Sequence, residues 1–541
     1  MSFYLEQIRQ RIPQVLSQID REPFSLTYGC GDRVYWCWKF TDFPGARFQE
    51  YIYTLAWLYS NHTFDNEWRG NNQLLRMIEA GFDYWASIQY DNGGFDEAYP
   101  FENSLAATAF TTFYLTEAWE LVRNDISEPA TNRFLSTLKK AGTWLSKNDE
   151  LHGILSNHLA AAAAACYNAG SILNDAVISK RCDHFLDRIY AHQSEEGWYE
   201  EYGGADAGYQ THGSFYLARI WQKSASEQLL GSLKKANHFL SYFIHPDGSL
   251  GGEYCSRDTM FYYPAAFEML YAESAEGAAI ADHQYTMIGE QRTVGLEMMD
   301  AYNLFPVLNN YIFAYNERLE RGDNGSKAAA LPYEGVVDNY FESAGIYVRS
   351  NEKYYSIVGV SKGGVVRIWN KVTKKLAFQS AGYVIKDGKN YLSSQSFGAS
   401  TTTRVDDSIS ISAGFVKVNR KVFNPWLFGA FRIFMLTIGR FSSVAYRMKR
   451  MLVKALVNKE NTNYKFKLER EVRYNLDSIT INDKLTPEGI KAQHLDKFST
   501  IHMGSSRYVH LAEEIRRGST PAYEGFDYKP GETINNVKIE F

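Results

Sequence analysis

Three short segments carry side chains able to move a proton beside a negative charge. Ser156-Asn157-His158 opens an alanine-rich stretch and sets a carboxamide next to an imidazole, a neutral donor beside a group that titrates near neutrality. GGADAGYQTHGSFY (203–216) offers the phenol of Tyr209 and the imidazole of His212. GGEYCSRDTMFYY (251–263) offers Glu253 and, four residues on, the guanidinium of Arg257, a rigid fork of donors suited to a carboxylate. Each has an ordinary reading as well. Asn or Ser caps a helix, one tyrosine among 38 more often packs than reacts, and Glu253 with Arg257 at i and i+4 makes a local ion pair. The spacing favours the chemical reading. Asn157 to Tyr209 is 52 residues and Tyr209 to Arg257 is 48, so a repeating architecture would bring all three to one place.

Two further segments offer contacts rather than chemistry. FDEAYPFENS (95–104) supplies Glu97 and Glu102, carboxylates for sugar hydroxyls or for a helix cap. HQSEEGWYEEYGG (192–204) supplies Trp198 and Tyr202. Aromatic residues make up 15% of the chain, and Tyr and Trp combine a flat apolar face with a polar handle, as a sugar ring requires.

The elements that must position these residues read as helices through about residue 320. RFQEYIYTLAWLYS (47–60), NQLLRMIEAGFDYWASIQ (72–89), SLAATAFTTFYLTEAWELV (104–122) and NHLAAAAAACYNAGSILND (157–175) repeat apolar residues every three and four positions. Breaks at Gly45, Gly94, Gly153, Gly197 and Gly248 are 49, 59, 44 and 51 residues apart, room for two helices each. IQYDNGGFDEAYP (88–100), HQSEEGWYEEYGG and FIHPDGSLGGEY (243–254) share a polar run, a glycine, an apolar residue and a carboxylate. Such a helix-pair repeat predicts an (α/α) toroid or incomplete barrel over 1–325, with like loops gathered at one end.

After NGSKAAALPYEG (324–335) the texture changes. YYSIVGV (354–360), GGVVRIWN (363–370), SISISAGFVKV (408–418), YKFKLEREVRY (464–474) and SITINDKL (478–485) are alternating or β-branched, predicting an antiparallel β-sandwich over 326–541. One segment interrupts it, FNPWLFGAFRIFMLTIGRFSSVAYRMKRMLVKALV (423–457). From Ser408 to Lys459 there are ten Lys and Arg and no Asp or Glu. This basic, apolar insert suits peripheral contact with an anionic membrane, the path of a polyanion, or a helix packed on the sandwich with a solvated face.

With 541 residues, 45% hydrophobic and 22% charged, the chain is a folded multidomain protein, and a net charge of −5 argues against nucleic acid as a partner. Five cysteines without metal spacing suggest free thiols, and the charged N-terminus has no apolar signal core, so a cytoplasmic location is expected, with membrane association through the insert. No spacing indicates a metal or a cofactor.

A helical toroid followed by a β-sandwich, with Asn157-His158, Tyr209 and Arg257 on successive loops, resembles the polysaccharide lyases. The heparinase II/III-like and oligoalginate lyases are most similar, hyaluronate and chondroitin lyases less so. The resemblance implies β-elimination on an acidic polysaccharide or oligosaccharide. Asn157, His158 and Arg257 would neutralise a uronate carboxylate, and Tyr209 would take the C5 proton or protonate the leaving oxygen. It also implies a histidine from the sandwich, for which His502 and His494 are the candidates. Substrate contacts are expected from Glu97, Glu102, Trp198, Tyr202, His212, Glu253 and His502. Three other functions fit the same sequence: a uronyl C5-epimerase, an α/α-barrel glycoside hydrolase with Glu97 and Glu201 as its carboxylate pair, and a non-catalytic glycan-binding protein.

Overall fold

The inner helices are buried almost all round, whereas the outer ones carry a single apolar stripe, and that difference sorts the N-terminal half into two rings. The computed structural model describes residues 2–150, 153–322, 328–398, 400–418, 424–441, 444–445, 447–448, 451, 465–500, 508 and 536–541. Its helices up to residue 321 are α1 (Phe3–Gln18), α2 (Tyr51–Ser60), α3 (Asn72–Ser87), α4 (Leu105–Val122), α5 (Glu128–Leu145), α6 (Ser156–Leu173), α7 (Ala176–Ala191), α8 (Ala207–Ser224), α9 (Glu227–Ser241), α10 (Ala265–Met269), α11 (Ala275–Gly289) and α12 (Ala301–Arg321). The even-numbered helices contact one another in sequence, and α12 returns to α2, closing an inner ring of six. Ala160 to Ala165 of α6 are all buried, and their small side chains let α4 and α8 approach on either side. At the closure, buried Thr54 Oγ1 donates to Asn309 Oδ1 (2.7 Å), and Asn309 Nδ2 donates to the Glu50 carbonyl (2.8 Å).

The three similar breaks form the same turn. Gly93, Gly197 and Gly248 have φ of 98°, 101° and 91°, the region that favours glycine. A Cβ on Gly93 or Gly197 would also stand 2.3 Å from the Lys140 carbonyl oxygen or 2.2 Å from that of Lys235. Each glycine therefore lets an inner loop lie against the helix of the next pair.

The last helix of this half ends at Arg321 and the first strand begins at Val337, so the expected change of texture is present; residue 325 itself lies outside the described residues. The strands are β1 (Val337–Phe341), β2 (Ile346–Ser350), β3 (Tyr354–Gly359), β4 (Val365–Asn370), β5 (Lys375–Ser380), β6 (Tyr383–Asp387), β7 (Asn390–Ser393), β8 (Ser400–Val405), β9 (Ser408–Gly414), β10 (Val416–Lys417), β11 (Lys467–Tyr474), β12 (Ser478–Thr486), β13 (Ala492–His494) and β14 (Val537–Glu540). They form antiparallel sheets in the orders β1-β2-β3-β4-β5, β10-β7-β6-β13 and β14-β12-β11-β9-β8. Tyr354, Val358, Val366 and Ile368 of the first sheet pack on Ile409, Ile411, Val472 and Ile481 of the third, the core of the sandwich. The other face of the first sheet, through Phe341, Tyr355, Ile357 and Trp369, joins the core of the helical half. Covered on both faces, β3 is buried throughout, and β4 at every residue but Asn370, which is why VVRIWN reads as a continuous apolar run rather than an alternating one. Among the described residues, no helix is long and apolar enough to cross a membrane.

Candidate active site

The N-terminal ends of the inner helices meet around one ring, that of Phe110 in α4. His158 of α6 stands edge-on to it at 5.7 Å, His212 of α8 stacks on it at 5.4 Å, and the Arg47 guanidinium, just before α2, lies 4.6 Å from its centroid. His212 stacks in turn on Tyr263 at 4.1 Å, bringing in the loop before α10. Tyr508, from the C-terminal half, accepts a hydrogen bond from Asn303 at the start of α12 (2.7 Å). The positive ends of the helix dipoles point to this rim, which favours an anion.

Asn157, at the start of α6, is buried. Its backbone N–H and its Nδ2 both donate to Glu201 Oε1, at 2.7 and 2.9 Å. The other oxygen of Glu201 is buried with no hydrogen-bond partner among the described residues. Burial pushes this carboxyl up to about 8, against the pull of the two Asn157 bonds and Arg257 and with a further push from Asp206. At neutral pH it is mainly protonated and positions Asn157 as a neutral acceptor.

Tyr209 lies in the first turn of α8, half-buried, edge-on to Phe261 at 5.3 Å. Asp206 caps that helix, as its position before an apolar run suggests, accepting from the Tyr209 N–H at 3.0 Å. The same carboxylate accepts from the N–H of Arg257 (3.2 Å) and of Thr259 (3.4 Å), and from the Thr259 hydroxyl. One buried acid thus ties the Tyr209 and Arg257 loops together. The Arg257 guanidinium lies 3.7 Å from the centroid of Tyr202 and 5.5 Å from that of Tyr209, a cation over two aromatic faces. Tyr202 holds a left-handed backbone with φ of 55°, which disfavours any residue with a Cβ by about 1–2 kcal/mol. Burial pushes the Tyr202 phenol up to about 12, with Arg257 opposing, so it stays protonated at neutral pH. From the β half, buried Lys362 donates to the Ser256 carbonyl at 2.9 Å and adds a second cation beside this loop.

Asn157, Tyr202, Tyr209 and Arg257 are therefore brought together, with His158 on the same rim. His158 Nδ1 pairs with buried Glu150 at 2.7 Å, which fixes one ring nitrogen. Glu97 also faces the rim, through Arg47, while the other expected contacts among the described residues lie elsewhere or serve the scaffold. His212 is only 4% exposed, held between Phe110 and Tyr263 with Nε2 3.0 Å from the Tyr216 hydroxyl. Burial, with Arg47 and His158 nearby, drives its pKa well below the usual range, so it is a neutral packing residue under the rim. Glu253 pairs with Arg367 of β4 inside the contact between the two halves. Trp198 Nε1 donates to Glu196 and to Ser343, each at 3.1 Å, between the helical half and the β1–β2 turn. Glu102 accepts from the N–H groups of Ala98 (2.8 Å) and Glu97 (3.3 Å) and braces its own loop. Glu97 accepts from Ser104 Oγ (3.0 Å) and faces Arg47 at 3.6 Å, with its side chain 34% exposed. His494 is buried in the β half, 2.8 Å from Ser380 Oγ, and is pushed down to about 3 by burial and Arg470. His502 lies outside the described residues.

Arg47, Phe110, Glu150, Tyr263 and Tyr508 were not singled out from the sequence. Arg47 follows the break at Gly45 by two residues, as Asn157 follows that at Gly153 by four, and this nearness to a break was the available signal. Glu150 and Tyr263 have no comparable pattern.

No family model matches the sequence, and no curated protein matches it. Solved structures do match. The chondroitin AC lyase of Streptomyces coelicolor A3, in complex with chondroitin sulphate, has a TM-score of 0.55 and 10% identity over 92% of this chain and 67% of its own. A Paenibacillus xanthan lyase has a TM-score of 0.53 and 11% identity over 91% of this chain and 46% of its own. The fold is that of these polysaccharide lyases. At such identity the likeness is one of architecture, the helical toroid followed by antiparallel sheets that the sequence predicts. This chain spans less than half the length of the xanthan lyase.

Proposed function

We propose that the chain is a polysaccharide lyase that cleaves a uronic-acid-containing glycan by C5 proton abstraction and β-elimination. The observation that carries the reading is Arg257, a buried guanidinium lying against Tyr202 and Tyr209, one buried carboxyl away from Asn157. A C5 proton is barely acidic while the neighbouring carboxylate keeps its charge, so that charge must be met by donors already in position. Arg257 supplies a cation. Asn157 has two N–H bonds on its amide; one is given to Glu201 and the other is left for a substrate oxygen. Tyr209 takes the C5 proton, a step that the neighbouring guanidinium favours by stabilising the phenolate. The C5–H electron pair forms the C4–C5 double bond, the C4–O bond breaks, and the departing oxygen takes a proton from Tyr209. His158, oriented by Glu150, and Glu97 line the rim where the sugar enters. The fold shared with two polysaccharide lyases supports the same reading.

The test is purified protein against a panel of uronate-containing glycans, followed by the ultraviolet absorbance of the 4,5-unsaturated end. Wild type is expected to raise it, and Tyr209→Phe to slow it by about 10²–10⁴-fold. If no glycan gives absorbance and solvent deuterium enters C5 without cleavage, the activity is epimerisation. If neither occurs, the reading fails.

A further inference from the structure

The insert, where described, runs as α13 (Pro425–Leu436) and a turn through Phe441. Of the α13 side chains, only Met435 is buried. Trp426 is 87% exposed, Ile433 66% and Leu427 61%, and Ile438 follows with 56%. The helix is nevertheless held in place. Arg432 Nε lies 3.1 Å from Asp42 and its guanidinium covers the rings of Phe43 and Phe428, while Phe431 packs on Tyr99 at 5.2 Å. The segment that leads into this contact exposes two more aromatics, Trp38 and Phe40, at 61% and 87%. Two segments almost 400 residues apart in sequence thus turn large apolar side chains outward at one place.

In sequence, the charge of the insert has one sign. Ser408 to Lys459 contains ten Lys and Arg and no acid, Arg440 lies over the ring of exposed Phe441, and Arg447 is exposed as well. Trp38 and Trp426 have flat faces that suit a sugar ring, but the exposed Leu427, Ile433, Leu436 and Ile438 of the same helix and turn offer neither a flat face nor a hydroxyl partner, so the patch as a whole fits a glycan poorly. A second copy related by a two-fold axis would set basic insert against basic insert. An anionic bilayer answers both features, with apolar side chains entering the acyl boundary and cations meeting headgroups. Twelve helical residues reach only about 18 Å, too short to span a hydrocarbon core of about 30 Å, so the helix lies in the interface. We propose that α13 and its following turn, together with Trp38 and Phe40, seat the protein on an anionic membrane surface. This holds whichever reaction the rim performs.

The test is flotation of the full chain with phosphatidylcholine vesicles, with and without phosphatidylglycerol. Wild type should float with the anionic vesicles and stay behind with the neutral ones. Raising sodium chloride from about 0.1 M to about 0.5 M, which shortens the screening length from about 10 to about 4 Å, should weaken flotation. Trp426→Ser/Ile433→Ser should lower partitioning about tenfold or more through lost apolar burial. Arg440→Glu/Arg447→Glu should lower it by a similar factor through charge. Both changes are at exposed positions and should leave the circular dichroism spectrum unchanged. The proposal is overturned if wild type ignores anionic vesicles, if it binds neutral ones equally, or if folded variants bind as well as wild type. A lipid-free dimer that Trp426→Ser/Ile433→Ser dissolves would also overturn it, since a second copy would then cover this face.

Discussion

Arg257 in the helical half and Arg470 in the β half are both buried arginines with tyrosines beside them, yet their surroundings differ. Arg470 grips Asp483 with both arms of its fork, Nε to Oδ1 at 2.7 Å and Nη2 to Oδ2 at 2.6 Å, while Nη1 donates to the Gly364 carbonyl at 2.7 Å and Nη2 to Ser380 Oγ at 2.8 Å. It is a neutralised bidentate pair inside a sandwich. Arg257 lies flat on Tyr202 with Tyr209 beyond, and the oxygens of its carboxylate neighbour, Asp206, are turned to backbone N–H groups and to Thr259. Under the proposed function Arg257 is the cation that meets an incoming anion and Arg470 the structural one, a distinction that burial alone does not make.

Exchanging the two arginines for alanine tests that distinction most sharply. Arg470→Ala leaves Asp483 buried without its partner and should cost about 3–5 kcal/mol of stability, measured by urea denaturation. Arg257→Ala should instead reduce turnover on the responsive glycan by about 10²–10³-fold, with a smaller loss of stability. If Arg257→Ala unfolds the chain and Arg470→Ala slows turnover, the comparison is wrong.

Glu201 sharpens it from the side of the acid. Folding raises this carboxyl from 4.5 to about 8, so the folded chain holds the proton more tightly than the unfolded chain does. Its contribution is most favourable below pH 4.5 and is lost as pH climbs to about 8. Glu201→Gln keeps an acceptor for Asn157 and removes the titration. The stability of wild type relative to this variant should fall by a few kcal/mol across that window, read from denaturation at a series of pH values. A flat difference would mean that Glu201 is ionised throughout and that Asn157 is held by a charged partner.

The same residues show how much of the site was legible in the sequence. Asn157, Tyr209 and Arg257 could be placed together because one helix pair occupies about 50 residues, and positions one repeat apart return to the same end of a ring. His212 could not be judged that way. Three residues after Tyr209 it has turned about 300° and advanced about 4.5 Å along the helix, so it lies beneath the rim and in the core. Glu253 and Trp198 sit in the right loops but face the β half, whose docking surface no local pattern announces. The sandwich was legible as strands, although their order was not, because strand pairing depends on contacts between residues far apart in the chain. The charge pattern of the insert was plain, while its docking through Arg432 on Asp42 depends on a loop almost 400 residues earlier.

Trp198 gives the smallest and most discriminating test. As a sugar platform it would present its ring to substrate, and its loss would appear in KM. In the structure its indole N–H is shared between Glu196 and Ser343, and Glu196 also accepts from the N–H groups of Ser343 (2.8 Å) and Ala344 (3.1 Å). The indole and this carboxylate together clamp the β1–β2 turn onto the helical half. Trp198→Phe keeps most of the apolar contact and deletes one shared donor, so stability should fall by about 0.5–1.5 kcal/mol with KM unchanged. A tenfold rise in KM at unchanged stability would restore Trp198 to the substrate path. It would also mean that the β1–β2 turn moves aside to admit sugar, and that the boundary between scaffold and site runs farther along the ring of loops than Arg257 and Tyr209 mark it.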